Sequence, residues 1–164
     1  MLEPSCTLAF LDLGWAGSTR GRVTIRLTPD TLLARQFVLL CTGQRGHTYR
    51  NTKLLRVGAK GQPEEWVEGG DYESNDGEGG APLLPDLQGH YRGAGRAGAV
   101  CAWYDLGGPR SAQFVITTRD LQDDDGWLYA FGDVVRGLDV VRAAVNHSDI
   151  TEVTVVDCGV VLPL

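Results

Sequence analysis

Long hydrophobic segments are missing from this sequence. No apolar run approaches the roughly 18 residues that a membrane-spanning helix needs. Residues 2–10 also lack the basic flank and the length of a signal peptide. The sequence therefore predicts a chain that makes no membrane contact of its own.

Basic residues are scarce relative to acidic ones. The chain has 15 Lys and Arg against 21 Asp and Glu, which gives a formal net charge of −6 and a pI near 5.0. Binding to nucleic acids and to anionic membranes depends on basic patches. The composition thus argues against both kinds of partner.

Closely spaced cysteines are absent as well. The four cysteines, Cys6, Cys41, Cys101 and Cys158, are dispersed, and no C-x-x-C spacing occurs. Each lies among apolar neighbours, which favours four buried thiols in a reducing compartment. We therefore expect an intracellular protein, in the cytoplasm or the nucleus.

Recognisable cofactor and metal motifs are also lacking. Residues 93–98 match G-x-G-x-x-G, but a strand-like stretch follows where a dinucleotide site needs a helix. Residues 123–126 contain three aspartates and a glycine without the ligand spacing of a calcium loop. The histidines are isolated and show no metal-ligand spacing: His47, His90 and His147. We expect no metal and no cofactor.

The patterns that are present favour a strand-rich domain. The chain has 164 residues, 43% of them apolar, and 22 glycines, which suits one turn-rich domain with a real core. Residues 7–13 and 21–27 predict a hairpin in which Val23, Ile25 and Leu27 face the core.

Two helices and four further strands are predicted after this hairpin. The first helix begins at a cap, Asp30 or Thr31, and ends at Gly43. Its apolar residues recur at helical spacing: Leu33, Phe37, Leu40 and Cys41. Residues 137–146 predict a second helix that buries Leu138, Val141 and Val145. Strands are expected over residues 99–104, 111–118, 127–134 and 151–161.

The segment between residues 58 and 98 is glycine-rich, acidic and poorly periodic, which is typical of long loops that carry function. Its part from 64 to 78 holds seven acids and no base: Glu64, Glu65, Glu68, Asp71, Glu73, Asp76 and Glu78. Two interpretations stay open here. The run is either a solvated loop or a docking rim for a basic partner.

Several ordered stretches resemble the cyclophilins, a family of peptidyl-prolyl isomerases. They include residues 69–72 (GGDY), 77–80 (GEGG) and 113–117 (QFVIT), with further matches from Leu11 to Gly159. The resemblance implies a mainly β fold, a closed antiparallel eight-stranded barrel capped by two α-helices. It covers nearly the whole chain, so we expect a single monomeric domain over residues 1–164, compatible with excision from a larger protein.

The resemblance also implies a chemistry, rotation about an Xaa-Pro bond. The barrier of roughly 18–20 kcal/mol reflects the partial double-bond character of the amide. Members of the family lower it with an arginine that favours the twisted amide and an apolar pocket that holds the proline ring. Arg56 matches that arginine, and Gln113 matches the glutamine beside it.

The other groove positions depart from the family pattern. At position 55 this chain has Leu where the family has histidine, and at 66 it has Trp where methionine is common. At position 68 it has Glu in place of glutamine, and at 115 it has Val in place of phenylalanine. The full set of altered groove positions is Leu55, Glu65, Trp66, Glu68, Trp103, Tyr104, Val115, Asp123 and Leu128. The new acids and the lost phenylalanine weaken an apolar pocket.

These departures leave two questions open. Arg56 either reaches substrate or is held by Glu68 in a charge-assisted pair. Trp66, Trp103 and Tyr104 either contact a partner or fill the vacated pocket.

Two functions follow from the altered groove. The first is a protein-interaction domain that binds a protein or peptide, with a basic partner favoured, and with isomerase activity lost or strongly reduced. The second is a weak prolyl isomerase that relies on Arg56 and Gln113 alone. Either function predicts little affinity for cyclosporin, which occupies the apolar groove in the family.

Overall fold

The computed structural model describes residues 7–29, 31–103, 111–121 and 128–161. Eight strands lie in this part of the chain: β1 (Leu8–Trp15), β2 (Ser18–Leu27), β3 (Arg56–Gly58), β4 (Trp66–Gly69), β5 (Ala99–Trp103), β6 (Phe114–Thr117), β7 (Leu128–Arg136) and β8 (Thr154–Val161). Two α-helices accompany them, α1 (Leu32–Thr42) and α2 (Leu138–Asn146), with a short 3₁₀ helix at Ile150–Glu152. Cys6, Asp30, Tyr104 and Asp123 lie outside the described residues. The prediction of four buried thiols is wrong for Cys158, which is only partly buried because it lies on the edge strand β8.

The eight strands form one antiparallel sheet in the order β3-β4-β6-β5-β7-β2-β1-β8. This confirms the predicted mainly β architecture. Closure of the barrel is not confirmed, because the described residues form no ladder between the edge strands β3 and β8. The chain just before β3 approaches β8 instead, through an isolated bridge between Lys53 and Thr154 and a bond from the Leu54 N–H to the Val153 carbonyl, at 2.9 Å.

The core lies between the sheet and α1. Val23, Ile25 and Leu27 are at most 3% exposed, as their alternation predicts. The four apolar residues expected on the inner face of α1 are buried as well. Thr31 caps the helix by accepting the Ala34 N–H, and Gly43 ends it in a left-handed conformation. The predicted bounds of this helix are confirmed.

The second helix lies against β2 and departs from the prediction in one position. Val141, Ala144 and Val145 are buried, whereas Leu138 is only partly buried. At Gly137, where φ is 91°, a Cβ would lie 2.1 Å from the Arg22 carbonyl oxygen. This close approach requires glycine at the start of α2.

The sequence patterns missed two short strands, β3 and β4. β4 and most of its connection to β3 lie in the segment expected to be loops. With three and four residues, these strands are too short for alternation to stand out. They matter because they carry Arg56 and Glu68. In the part of the chain described above, no helix is long and apolar enough to cross a membrane.

Candidate functional site

The pairing of β3 with β4 places Arg56 directly opposite Glu68. The Arg56 Nε donates to Glu68 Oε2 at 2.5 Å. The arginine side chain is 65% exposed, but that of Glu68 is only 6% exposed. A nearly buried carboxylate thus holds an exposed guanidinium in a charge-assisted bond.

Glu68 has a second partner on β5. The Trp103 Nε1 donates to its other oxygen, Oε1, at 3.2 Å. Both carboxylate oxygens are therefore occupied by side-chain donors. We refer to Arg56, Glu68 and Trp103 as the Glu68 bridge.

Two indoles cover an apolar floor beside this bridge. The rings of Trp66 and Trp103 meet edge to face, with centroids 4.9 Å apart at 84°. They pack on a small buried cluster that includes Val115 and Leu128, which are 0% and 7% exposed. The Arg56 guanidinium lies 5.2 Å from the centre of the Trp66 ring, within the range of a cation–π contact. We call the two tryptophans over this floor the aromatic plug.

A glycine opposite Trp66 makes room for the plug. Gly58 pairs with Trp66 across β3 and β4, and a Cβ at Gly58 would lie 2.1 Å from the indole ring. The ring therefore lies flat against the bare backbone of β3. No sequence pattern indicated this role for Gly58.

An open cavity of about 720 Å³ adjoins Trp103. The glycine-rich loop after β4 forms one wall, and β5 and the segment just before β6 form the other. It is lined by Glu73, Gly77, Glu78, Gly79, Gly80, Ala81, Pro82, Ala102, Trp103, Ser111 and Gln113. We call it the loop cavity.

Gln113 holds the wall of the loop cavity in place. Its Nε2 donates to the carbonyls of Gly77 and Gly79, at 2.9 and 2.7 Å. Both amide hydrogens are directed at the loop. In this arrangement Gln113 positions the loop that borders the cavity.

Asp71 organises the same loop from beneath. The residue is fully buried, and its two oxygens accept five backbone N–H groups, from Glu73, Ser74, Asp76, Gly77 and Gly79, at 2.8–3.1 Å. Burial alone would raise the pKa of Asp71, but these donors outweigh it and hold the pKa well below its usual range. A charged carboxylate is thus the nucleus around which the loop folds.

The match to a family model decides the affiliation of the chain. Residues 11–160 match the model described as cyclophilin type peptidyl-prolyl cis-trans isomerase/CLD. This chain belongs to the cyclophilin family. The match covers most of the chain, and it includes every candidate site residue.

Apart from Glu65, the predicted site residues that the structure describes lie in three places. Arg56, Trp66, Glu68 and Trp103 touch one another, with Val115 and Leu128 beneath. Gln113 lies in the loop cavity. Leu55 is partly buried just before β3, and its N–H donates to the Glu68 carbonyl, at 2.7 Å. Tyr104 and Asp123, also predicted for the groove, lie outside the described residues.

Glu65 is held apart from the Glu68 bridge. Its carboxylate accepts the Gly61 N–H at 2.7 Å and the Thr118 hydroxyl at 2.6 Å. Burial alone would raise the pKa of Glu65, but these two bonds, with the positive charges of Arg119 and Lys60, lower it overall. The residue fastens the connection between β3 and β4.

The acidic run of this cyclophilin is only partly exposed to solvent. Glu65, Glu68 and Asp71 are buried, and each is held by hydrogen bonds. Glu73 and Asp76 are exposed but accept the N–H groups of Ala81 and Glu78. Much of the negative charge therefore supports the fold, and Glu73 and Glu78 are the acids that line the cavity.

Sequence reasoning missed the loop cavity and the role of Gln113 in holding its wall. The repeated glycines at 77, 79 and 80 were the available signal, since they permit close backbone approach to Gln113. Among the described residues, no group of three or more His, Cys, Asp or Glu could hold a metal ion.

Proposed function

We propose that this cyclophilin domain binds a protein or peptide partner and has lost most or all prolyl isomerase activity. The observation that supports this proposal is the burial of the groove floor under the aromatic plug. Val115 and Leu128 are 0% and 7% exposed, so a proline ring has no open apolar surface to occupy there unless an indole moves away.

Moving an indole out of the plug is costly. Exposing about 100 Å² of apolar ring at about 25 cal/mol/Å² costs roughly 2.5 kcal/mol. Loss of the edge-to-face contact adds about 1 kcal/mol. An open groove would then be populated roughly 300-fold less than the closed one, and apparent substrate affinity would fall by the same factor.

The Glu68 bridge also works against prolyl isomerisation. Stabilisation of a twisted prolyl amide needs an arginine whose donors point at the substrate. In this chain Arg56 Nε is engaged by Glu68, and the nearby carboxylate neutralises the positive charge that would polarise the amide. The pocket for the proline ring and the arginine that would polarise the amide are thus both altered in this chain.

Partner binding is assigned to the loop cavity and to the exposed edge of the plug. Glu73 and Glu78 line the cavity, and Trp103 joins it to the plug. Large aromatics next to a cavity are frequent anchors of protein interfaces. With two acids in its lining and a net charge of −6, the surface is complementary to a basic segment.

A second function, weak prolyl isomerisation, is favoured by one observation. The Arg56 side chain is 65% exposed at the groove, so its remaining donors are open to a substrate that does not fill the pocket. A single well-placed donor can supply a substantial part of electrostatic catalysis. In this case Arg56→Ala would abolish the activity and leave partner binding largely intact.

Restoration of the residues that the family carries tests the proposed loss of activity. We expect the combined variant Trp66→Met, Glu68→Gln, Trp103→Ala and Val115→Phe to isomerise an Ala-Pro peptide at least about tenfold faster than the original chain. A folded combined variant with no gain would show that the plug and the bridge do not limit activity.

The proposed binding of a basic partner at the loop cavity needs a separate test. Peptides selected from a random library on the original domain should be enriched in Lys and Arg. Their affinity should fall on Glu78→Gln but not on Asp139→Asn, which removes an exposed acid from α2. Selected peptides that bind both variants equally would contradict the assignment to the loop cavity.

A further inference from the structure

An arginine of the second helix reaches the strand that runs beneath the aromatic plug. Arg142 lies on α2, and its Nε and Nη2 donate to the Thr118 carbonyl at 3.3 and 3.0 Å. Thr118 directly follows β6 and is 1% exposed. The guanidinium carries its donors in a rigid fork, so two bonds to one oxygen restrict the position of that carbonyl.

Thr118 in turn holds Glu65. Its N–H donates to the Glu65 carbonyl at 3.1 Å, and its hydroxyl donates to Glu65 Oε1 at 2.6 Å. The other carboxylate oxygen accepts the Gly61 N–H, and Arg119 Nη1 donates to the Gly61 carbonyl at 3.2 Å. The residues just after β6 thus fasten the whole turn between β3 and β4.

This fastening ends next to one half of the plug. Glu65 directly precedes Trp66, the first residue of β4, and Trp66 is paired with Thr117, the last residue of β6. The bonds from Thr118 to Glu65 therefore extend the ladder by one residue past Trp66 and fix the backbone from which its indole projects. Since the ring lies flat against Gly58, a shift of that backbone would displace the indole from the groove floor.

We propose that Arg142 is a positioning residue for the aromatic plug, which acts through Thr118 and Glu65 to keep Trp66 over the groove floor. The basis is the continuous set of hydrogen bonds from α2 to the residue before Trp66. Arg142 itself is exposed on α2, so a surface residue outside the groove contributes to its closure. The inference rests on the proposed function, because it names a contact that keeps the groove closed.

Fluorine NMR of the domain labelled with 5-fluorotryptophan tests the inference without reference to activity. The chain has four tryptophans, and Trp66→Phe identifies the resonance of Trp66. We expect Arg142→Ala to shift or broaden that resonance, and Arg142→Lys to restore most of its position, since an ammonium can still donate to the Thr118 carbonyl. Arg35→Ala, which removes an exposed arginine from α1, is the matched control and should leave the resonance unchanged.

Amide hydrogen exchange shows whether the effect follows the proposed contacts. The N–H groups of Gly61 and Thr118 both donate to Glu65, and each should exchange at least about fivefold faster in Arg142→Ala. The Leu54 N–H, bonded to the Val153 carbonyl, is the internal control and should keep its rate. Equal acceleration of all three amides would indicate a general loss of stability and overturn the positioning role.

A double variant tests the route through Glu65. If Arg142 acts through that residue, its replacement by Ala should shift the Trp66 resonance less in a Glu65→Ala background than in the original chain. Equal shifts in the two backgrounds would overturn this route. The single variants at position 142 decide the positioning role even where the double variant does not fold.

An isomerase assay on Arg142→Ala separates this inference from the proposed function. A Trp66 resonance as unchanged in Arg142→Ala as in Arg35→Ala would overturn the inference and leave the proposed function standing. A displaced Trp66 would support the positioning role whatever the activity, and a displaced Trp66 without any gain in isomerisation would count against the plug as the block to catalysis.

Discussion

Replacement of Asp71 by asparagine should strongly destabilise this domain. The substitution is nearly isosteric, but it removes the negative charge on which five backbone donors converge. The amide keeps one acceptor oxygen and turns an NH₂ group toward the donors of the other. Two or three partly buried N–H groups, depending on which oxygen remains, then lose their acceptor.

The magnitude follows from these contacts. A buried donor left without a partner costs about 1–3 kcal/mol. With two or three donors that are only partly buried, each at the lower part of this range, and with the charge lost as well, we expect a loss of about 3–5 kcal/mol in the free energy of unfolding. At about 2–4 °C per kcal/mol for a chain of this size, the melting temperature should fall by roughly 6–20 °C.

The effect should also depend on pH with a definite sign. The folded-state pKa of Asp71 lies below its unfolded value near 3.9. Its contribution is therefore present above about pH 4 and is lost as the pH falls further. The gap in stability between the original chain and Asp71→Asn should narrow in acid.

Urea denaturation at pH 7 and pH 3 provides the assay, with Asp76→Asn as the matched control. Asp76 is exposed and accepts one backbone N–H, from Glu78 at 2.9 Å, so its loss should cost less than about 1 kcal/mol. A cost below 1 kcal/mol for Asp71→Asn at pH 7 would refute the view that this carboxylate nucleates the loop.

Three further predictions concern the groove and the core. Gly58→Ala should displace the Trp66 indole, since the new Cβ would lie 2.1 Å from it. We expect a red-shifted tryptophan emission and a loss of about 1–3 kcal/mol in the free energy of unfolding, measured by denaturation. Unchanged emission would contradict the packing of Trp66 on Gly58. Cyclosporin should bind no more tightly than micromolar by calorimetry, because the aromatic plug covers the groove floor. Nanomolar affinity would show that the plug leaves the groove open. Tyr49→Phe should cost about 1–2 kcal/mol in thermal unfolding, because the buried Tyr49 hydroxyl donates to the Ala112 carbonyl at 2.5 Å; a neutral effect would show that this bond is dispensable.

The sequence was most informative where its patterns are long. The alternation through Val23, Ile25 and Leu27 and the helical spacing from Leu33 to Cys41 predicted elements that the structure confirms. Each extends over two or more repeats of its period, so the signal exceeds chance. The family affiliation was also readable, because many ordered motifs recur along nearly the whole chain.

The sequence was least informative where side chains from short or distant elements meet. β3 and β4 have too few residues to show a period, so the registry that places Arg56 opposite Glu68 was not visible in the pattern. The bond from Trp103 to Glu68 joins positions 35 residues apart. The acidic run looked like a surface, yet three of its members are buried, because backbone N–H groups of glycine-rich turns and nearby side chains supply their partners.

The proposed loss of most or all prolyl isomerase activity is tested most directly by exchange NMR on an Ala-Pro peptide. The peptide is observed at its cis–trans equilibrium with near-stoichiometric domain, and with an active cyclophilin as positive control. We predict no exchange above the uncatalysed rate for the original chain or for Arg56→Ala. Exchange that is present in the original chain and vanishes in Arg56→Ala would contradict the claim and identify the domain as a slow isomerase.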